Sequence, residues 1–220
     1  MDSDIAQRLG ILGGTFDPVH NAHLIVAGKV REAFGLSAVI FIPAACPPHK
    51  KGFSVISFAD RLAMLRLAVH GTPFFLVSPI EADRPGPSYS IDTLLQLRRE
   101  YPPDVELFFI IGSDAFAEVA SWKNYVSLLD LTNFIVIART PIDYVGIARL
   151  IGAVFPEHVF DNNLCCWNKP GCFGKIYTFI RESIQISSTE IRKRVQQRDT
   201  ISDLVPKAVA DYIDKHFLYE

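Results

Sequence analysis

Short apolar runs alternate along the chain with segments whose apolar positions recur at helical spacing. Each run is β-branched or aromatic in character and is bounded by Gly, Pro or Ser, as buried strands are. The runs lie at Leu9–Gly13, Ala38–Ile42, Phe74–Ser78, Leu107–Ile111 and Phe134–Ala138. Both faces of these runs are apolar, which is typical of parallel strands covered on both sides of a sheet.

Helical periodicity fills the intervals between the runs. Over Phe58–His70 one apolar face is formed by Phe58, Leu62, Leu65 and Val69. A second such face precedes Tyr101 and consists of Ile91, Leu94 and Leu95. This alternation predicts right-handed βαβ units. We therefore expect an α/β fold with a doubly wound, Rossmann-like parallel sheet and helices on both faces.

The pattern weakens after Ala138. Residues 139–175 contain three prolines and several glycines, so we expect a loop-rich excursion with one short helix near Ile142–Ile151. A further strand is expected at Ile176–Ile180. Two helices complete the chain, one from Ser187 to about Gln197 and one near Pro206–His216. The organisation indicates a single domain over residues 1–220, with a helical C-terminal portion at about 187–220.

Charge and composition exclude several classes of function. The formal net charge of −2 offers no broad positive surface to nucleic acid or to an anionic membrane. Phosphate, if bound, has to be bound by a local cluster of donors. No apolar run approaches the roughly 18 residues of a membrane helix, and the start of the chain lacks the pattern of a secretory signal. We expect a cytoplasmic protein.

Four cysteines are too few for a disulfide scaffold in a chain of 220 residues. Cys165, Cys166 and Cys172, with His158 nearby, raise the hypothesis of a zinc site. Their spacing matches no regular CxxC pair. We interpret them as reduced loop cysteines and expect no bound metal.

The segment Gly13–His23, here called the histidine loop, follows the first predicted strand. Its two leading glycines let the backbone turn sharply and approach a ligand. The helix that follows offers unpaired N–H groups and a positive dipole end, which favour phosphate. His20 and His23 are three residues apart, so they share one face of the helix start. Together these features predict a polyphosphate site.

A second cluster of donors lies near the C-terminus. Ser188 and Arg192 are four residues apart and face one side of a helix, and Arg192 carries a permanent charge on a fork of donors that suits phosphate. Ser187 and Glu190 have capping-box spacing, so a capped, solvated basic helix is the alternative. Combined with the histidine loop, the pattern favours a second phosphate clamp.

The segment Gly13–Leu24, which is the histidine loop and the next residue, resembles the first motif of the HxGH nucleotidyltransferase superfamily, and the chain is similar to the bacterial nicotinate-mononucleotide adenylyltransferases. Ala22 departs from that motif, which usually has glycine there. Further segments resemble the family in the same order along the chain: Pro47–Lys50, Pro87–Ser90 with Thr93, Ile110–Asp114, Trp122 with Tyr125, and Ile186–Arg192. The resemblance implies transfer of AMP from ATP to nicotinate mononucleotide, which yields deamido-NAD and pyrophosphate in NAD biosynthesis.

The resemblance also assigns roles to individual residues. It implies that the catalytic residues are His20, His23, Lys50 and Arg192. It implies ATP contacts from Gly13, Gly14, Thr15, Phe16, His20, His23, Gly112, Asp114, Ser188, Thr189 and Arg192. It implies nicotinate-nucleotide contacts from Thr15, Lys50, Tyr89, Thr93, Trp122 and Arg139. Three alternatives stay open: a helix N-cap for Asp114, a core position for Trp122 and a solvated loop for Lys50.

We expect the acceptor's own phosphate to be the attacking group, since a phosphomonoester is mostly anionic at neutral pH. Mg²⁺ is expected to arrive with ATP and to be held mainly by phosphates. The expected partners are ATP and nicotinate mononucleotide, in a monomer or a homo-oligomer. Two alternatives remain: a related adenylyl- or cytidylyltransferase with another phosphorylated acceptor, and an inactive dinucleotide-binding sensor.

Overall fold

The computed structural model describes residues 7–47, 55–139, 144–181 and 184–220. The strands in these ranges are β1 (Arg8–Gly14), β2 (Ala38–Pro43), β3 (Phe75–Val77), β4 (Glu106–Gly112), β5 (Asn133–Arg139), β6 (Val159–Asp161), β7 (Cys166–Asn168) and β8 (Ile176–Arg181). The helices are α1 (Asn21–Phe34), α2 (Phe58–Val69), α3 (Ser90–Glu100), α4 (Ser113–Ala117), α5 (Tyr144–Val154), α6 (Ser188–Gln196) and α7 (Lys207–Lys215). Short 3₁₀ helices cover Val119–Ser121 and Tyr125–Asp130.

The chain forms two compact units. The first contains residues 1–12 and 89–183, and the second contains residues 13–88 and 184–220. That the two units make one functional domain over residues 1–220 stays a prediction. Within the described ranges, no helix is both long enough and apolar enough to cross a membrane.

The sheet of the first unit runs in the order β1-β4-β5-β8-β7-β6. Its first four strands are parallel, with Arg8 opposite Glu106 and Phe134 opposite Ile176. The apolar character of these runs on both faces matches their burial: Ile135 and Val136, which point to opposite faces, are both fully buried. The predicted parallel strands are therefore confirmed in this unit.

The predicted loop-rich excursion is wrong in part. It contains helix α5, close to the predicted position, and an antiparallel hairpin of β6 and β7 that extends the sheet beside β8. The carboxylate of Asp161 accepts hydrogen bonds from the backbone N–H groups of Asn163 and Leu164, at 2.8 and 3.2 Å, and so fixes the turn. Strands of three residues are too short to show an alternating pattern, which explains why the sequence did not reveal them.

In the second unit β3 pairs with β2 in parallel, with Val39 opposite Phe75. The carboxyl end of β1 belongs to this unit, and the Ala44 N–H donates to the Gly14 carbonyl at 2.8 Å. The predicted α/β class and the helical C-terminal portion are both confirmed.

Candidate functional site

The histidine loop leaves β1 through a tight approach between Gly14 and the ring of Phe16. A Cβ at Gly14 would lie 3.0 Å from Cζ of Phe16, so the glycine is what lets the ring sit over this turn. Phe16 is buried, and its φ of 50° lies in the left-handed region that side-chain-bearing residues rarely adopt. The strained turn brings the ring edge-on to His23, with 5.0 Å between ring centroids.

The two histidines meet at the start of α1, as their spacing predicted. His20 is the N-cap residue, and the two imidazole rings stack with 3.7 Å between centroids. The His20 backbone N–H donates to Nδ1 of His23 at 3.2 Å. A ring nitrogen that accepts carries no proton, so the neutral His23 ring carries its proton on Nε2. That tautomer makes Nε2 the donor that a phosphate oxygen would need.

Helix α6 is fastened to the histidine loop by two side chains. Ser188 Oγ donates to the Pro18 carbonyl at 2.9 Å, and Nη1 of Arg192 donates to the Asp17 carbonyl at 2.7 Å. The expected capping contact is present as well, since Ser187 Oγ accepts from the Glu190 N–H at 3.2 Å. The structure thus brings together the two donor clusters that lie about 170 residues apart in sequence.

Arg61 is a residue of this cluster that sequence reasoning missed. It lies on α2, is 2% exposed, and Nη1 donates to the carbonyls of Thr15 and Ala44, both at 2.8 Å. Burial lowers the pKa of the guanidinium, and the charge of Asp17 opposes that shift. A signal was available: position 61 is four residues before Leu65, so a charged residue stood on the buried face of a predicted helix.

The first unit holds a separate group that we call the aromatic cluster: Tyr89, Trp122 and Lys123. The ammonium group of Lys123 lies 4.9 Å from the Tyr89 ring centroid, a cation–π distance, and pairs with the Asp92 carboxylate at 2.9 Å. Tyr89 and Trp122 were predicted as site residues from the sequence, whereas Lys123 was not. Its position directly after Trp122 was the only signal for it.

The side chain of Trp122 is half-buried, and its ring meets Phe109 edge-on at 6.3 Å. Trp122 is thus only partly accessible, and the choice between a core position and a stacking role stays open. Thr93 is buried, and its hydroxyl donates to the Tyr89 carbonyl one helical turn earlier, at 3.3 Å. A ligand carboxylate could accept a hydrogen bond from the Thr93 hydroxyl only if the hydroxyl stops donating to the Tyr89 carbonyl.

Gly112 ends β4 and is the N-cap residue of α4, while Asp114 is exposed in the first turn of that helix. The N-cap alternative for Asp114 is therefore wrong. A Cβ at Gly112 would meet no atom within 4 Å, so the protein itself leaves room there. An exposed carboxylate beside such an opening remains suited to accept from ribose hydroxyl groups.

The side chains of two predicted site residues, Lys50 and Arg139, lie outside the described part of the structure. Lys50, with its neighbours Pro48 and His49, lies outside the described residues. Arg139 is the last residue of β5, opposite Arg181 in β8, and only its backbone is described. Their roles stay predictions.

The candidate zinc cysteines do not form a metal-binding group. In the described part of the chain, no three His, Cys, Asp or Glu side chains are grouped so that they could hold a metal ion. All four cysteines are free thiols: Cys46 and Cys165 are exposed, Cys172 is half-buried, and Cys166 is buried in β7. Burial is the main cause that raises the pKa of the Cys166 thiol, so this thiol stays protonated.

Comparison with known proteins gives a consistent result. A family model described as cytidylyltransferase-like matches residues 11–194. A protein of Geobacter sp. (strain M21) described as a probable nicotinate-nucleotide adenylyltransferase is 44% identical over 214 residues, which cover 96% of this chain and 98% of that protein. Proteins with the same description from Geotalea daltonii and Desulfitobacterium hafniense are 42% and 41% identical and also align over nearly their whole length.

Solved structures support the fold assignment. The Plasmodium falciparum nicotinic acid mononucleotide adenylyltransferase complexed with NaAD aligns with a TM-score of 0.72, covers 97% of each chain and is 22% identical. A putative nicotinate-nucleotide adenylyltransferase from Vibrio parahaemolyticus aligns with a TM-score of 0.64 at 14% identity. At these identities the likeness concerns the fold.

Proposed function

The chain belongs to the nicotinate-nucleotide adenylyltransferase family of cytidylyltransferase-like enzymes, and on this premise we propose that it transfers AMP from ATP to nicotinate mononucleotide. The products are deamido-NAD and pyrophosphate, which places the enzyme in NAD biosynthesis. One observation supports the proposal most strongly. The two imidazoles stack at the start of α1, and the guanidinium of Arg192 is hydrogen-bonded to the backbone of the same loop at Asp17.

The histidine loop and α6 would bind the triphosphate of ATP. The start of α1 offers a positive dipole end, while the Asn21 and His23 N–H groups already donate to the Leu204 and His20 carbonyls, both at 2.9 Å. His20 and His23 add imidazole donors, and Arg192 adds a charge whose side chain is 28% exposed. Donors fixed before the substrate arrives stabilise the charge that develops on the α-phosphate without having to reorganise. Gly13, Gly14, Thr15, Phe16 and Thr189 would line this triphosphate site, and Gly112 and Asp114 would contact the nucleoside.

The chemical step needs no protein nucleophile. A phosphate oxygen of nicotinate mononucleotide attacks the α-phosphorus of ATP, the bond from that phosphorus to the β-phosphate bridge oxygen breaks, and pyrophosphate leaves with the bonding electrons. The attacking phosphate is already anionic at neutral pH. Catalysis therefore rests on alignment and charge stabilisation, as in other phosphoryl transfers. The carboxylate of Asp17 is buried and hydrogen-bonded, which fits a structural role better than that of a general base.

We propose that Mg²⁺ enters with ATP, bound mainly by its phosphates. The described part of the candidate phosphate site offers imidazole and guanidinium donors, and the Asp17 carboxylate in its loop already accepts a hydrogen bond from the Tyr219 hydroxyl. Such a donor set suits a phosphate-bound metal ion better than a protein cage of oxygen ligands. The ion would neutralise charge on the leaving pyrophosphate.

The aromatic cluster would bind the mononucleotide. Half-buried Trp122 offers a face on which a pyridine ring can stack, and Tyr89 and Thr93 lie at the start of α3. The N–H groups at that helix start favour a carboxylate over an amide on the ring, whereas the Lys123 charge is already balanced by Asp92. The resemblance to the family implies that Thr15, Lys50 and Arg139 also contact the mononucleotide. We propose that the protein acts in the cytoplasm and that it binds neither nucleic acid nor a membrane.

The test is a pyrophosphate-release assay with ATP and three acceptors in parallel: nicotinate mononucleotide, nicotinamide mononucleotide and phosphopantetheine. We expect the acid mononucleotide to have the highest kcat/KM and to yield deamido-NAD, identified by mass spectrometry. Equal kcat/KM for acid and amide would refute the acid preference and leave adenylyl transfer intact. Turnover with phosphopantetheine alone, or ATP binding without release of pyrophosphate, would refute the proposed function.

A further inference from the structure

The end of the chain reaches back to the middle of the histidine loop. The Tyr219 hydroxyl donates to Oδ1 of Asp17 at 2.8 Å, a contact between residues 202 positions apart. The Asp17 side chain is only 2% exposed, and Tyr219 itself is half-buried. Burial is the main cause that raises the pKa of Tyr219, and the Asp17 charge adds to it, so the phenol keeps the proton that it donates.

The helix end of α7 directs the tail to this contact. The Phe217 N–H donates to the Asp214 carbonyl at 3.2 Å, and the Leu218 N–H donates to the Ile213 carbonyl at 3.1 Å. These two bonds form a Schellman motif, with Phe217 at the left-handed position that glycine usually takes (φ 51°). Tyr219 is left-handed too (φ 70°). A non-glycine backbone held in this region twice within three residues indicates a specified conformation.

Asp17 has a second contact, with the arginine assigned to the triphosphate. Oδ2 of Asp17 lies 3.9 Å from Nη1 of Arg192, beyond hydrogen-bond distance. Nη1 instead donates to the backbone carbonyl of Asp17 at 2.7 Å, and Nη2 donates to Thr189 Oγ1 at 3.3 Å. The guanidinium is thus docked on the loop backbone without forming the paired fork that guanidinium and carboxylate groups favour.

We propose that Tyr219 is a positioning residue for ATP binding, which holds the Asp17 carboxylate so that it does not close on Arg192. This rests on the proposed function only in taking the bound nucleotide to be ATP. Without the phenol, Oδ1 of Asp17 would be a buried anionic oxygen that lacks its donor. Two cations lie near it: Arg61 is held by the Thr15 and Ala44 carbonyls, whereas Arg192, with Nη1 already 3.9 Å from Oδ2, can turn toward the carboxylate. The Arg192 guanidinium would turn toward Asp17, and its N–H groups would donate to the carboxylate instead of to the triphosphate.

The experiment compares Tyr219→Phe with a matched variant, Tyr212→Phe. Tyr212 also lies in the C-terminal segment, and its hydroxyl also donates to a carboxylate, Oδ1 of Asp60, at 3.0 Å. Asp60 lies in the first turn of α2. Its backbone N–H donates to Ser57 Oγ, and its carboxylate accepts from the same hydroxyl. Binding of α,β-methylene-ATP is measured by calorimetry, and KM and kcat are measured for both substrates. Melting temperatures of both variants show whether each is folded.

We expect Tyr219→Phe to raise the Kd of the analogue and the KM for ATP about tenfold or more, as loss of a hydrogen bond to a charged group does. At saturating ATP the bound triphosphate should draw Arg192 back from Asp17, so kcat and the KM for the mononucleotide should change by less than about twofold, the pattern of a change in binding alone. Tyr212→Phe should leave both ATP constants unchanged. Unchanged analogue binding in Tyr219→Phe, or an equal loss in both variants, would overturn the proposal.

A second substitution keeps the test decisive. In the double variant Asp17→Asn/Tyr219→Phe the residue that would attract Arg192 is neutral, so we expect analogue binding closer to that of the wild type than in Tyr219→Phe alone. If the double variant binds the analogue no better than the single one, capture of Arg192 is not the cause. The analogue cannot react, so its binding is measured independently of catalysis. If the wild type binds the analogue but releases no pyrophosphate from ATP, the proposed function is refuted and the role of Tyr219 in binding is not.

Discussion

The histidine loop and the aromatic cluster are held in place in different ways. Side chains from distant parts of the chain fasten the loop: Arg61 lies 46 residues from its acceptor at Thr15, and Arg192 lies 175 residues from Asp17. In the aromatic cluster, the Tyr89 carbonyl accepts from the Thr93 hydroxyl four residues away, and Lys123 pairs with Asp92 at a separation of 31. The loop therefore depends on tertiary structure, whereas the cluster depends mainly on one helix and its neighbours.

This difference has a consequence for substitutions. A change in the anchors of the loop should disturb both the stability of the second unit and the binding of ATP, because the same bonds support both. A change in the aromatic cluster should affect the mononucleotide alone. Four substitutions test this contrast.

The largest effect is expected from Arg61→Met. Two carbonyls, of Thr15 and Ala44, lose a charged donor at 2.8 Å, and each unpaired acceptor of this kind costs about 1–3 kcal/mol. We expect the free energy of unfolding to fall by about 2–5 kcal/mol in a denaturant titration. Arg66→Met, at an exposed position of the same helix, is the control and should change it by about 0.5 kcal/mol at most. Similar losses in both variants would contradict the anchoring role.

Next in size is His20→Ala. Loss of one fixed donor to a charged transition state typically lowers kcat about 10²–10³-fold, and we expect that range in steady-state kinetics. Because His20 is also the buried N-cap residue of α1, the free energy of unfolding should fall by about 0.5–2 kcal/mol. His70→Ala, exposed at the end of α2, should leave kcat unchanged. Near-normal turnover of His20→Ala would remove His20 from the catalytic residues and weaken the contrast between the two regions.

Trp122→Ala tests the other side of the comparison. Stacking of a base on an aromatic side chain is worth about 1–3 kcal/mol, so the KM for nicotinate mononucleotide should rise about 5- to 150-fold. The KM for ATP should stay the same. Phe173→Ala removes a ring that is 54% exposed in the same unit and serves as the control. A parallel rise in both KM values would show that Trp122 supports the fold instead of the mononucleotide.

The smallest effect is expected from Ala22→Gly, which restores the residue that the family usually has. Ala22 is 7% exposed in the first turn of α1, and glycine costs a helix up to about 1 kcal/mol relative to alanine. We expect a slightly lower melting temperature and a modest change in the KM for ATP. A rise of kcat/KM by orders of magnitude would mean that the natural chain is a weakened enzyme and would favour a dinucleotide-binding sensor.

The same contrast explains what the sequence could and could not predict. Periodicity located the parallel strands and the helices, and the spacing of His20 and His23 predicted that they share a face, because these features are local. The anchoring roles of Arg61 and Tyr219 are non-local: the spacing from Leu65 could place Arg61 on the buried face of α2, but the partners of both residues lie far away in the sequence. The hairpin of β6 and β7 was missed for another reason: three residues are too few to show a period of two.

The central claim is that the phosphate of nicotinate mononucleotide attacks the α-phosphorus of ATP at the histidine loop. The direct test uses nicotinate mononucleotide with ¹⁸O at every non-bridging oxygen of its phosphate, and mass spectrometry of both products. We predict that deamido-NAD keeps all of the label and that pyrophosphate carries none. Label in the pyrophosphate, or its loss from the dinucleotide, would contradict direct transfer.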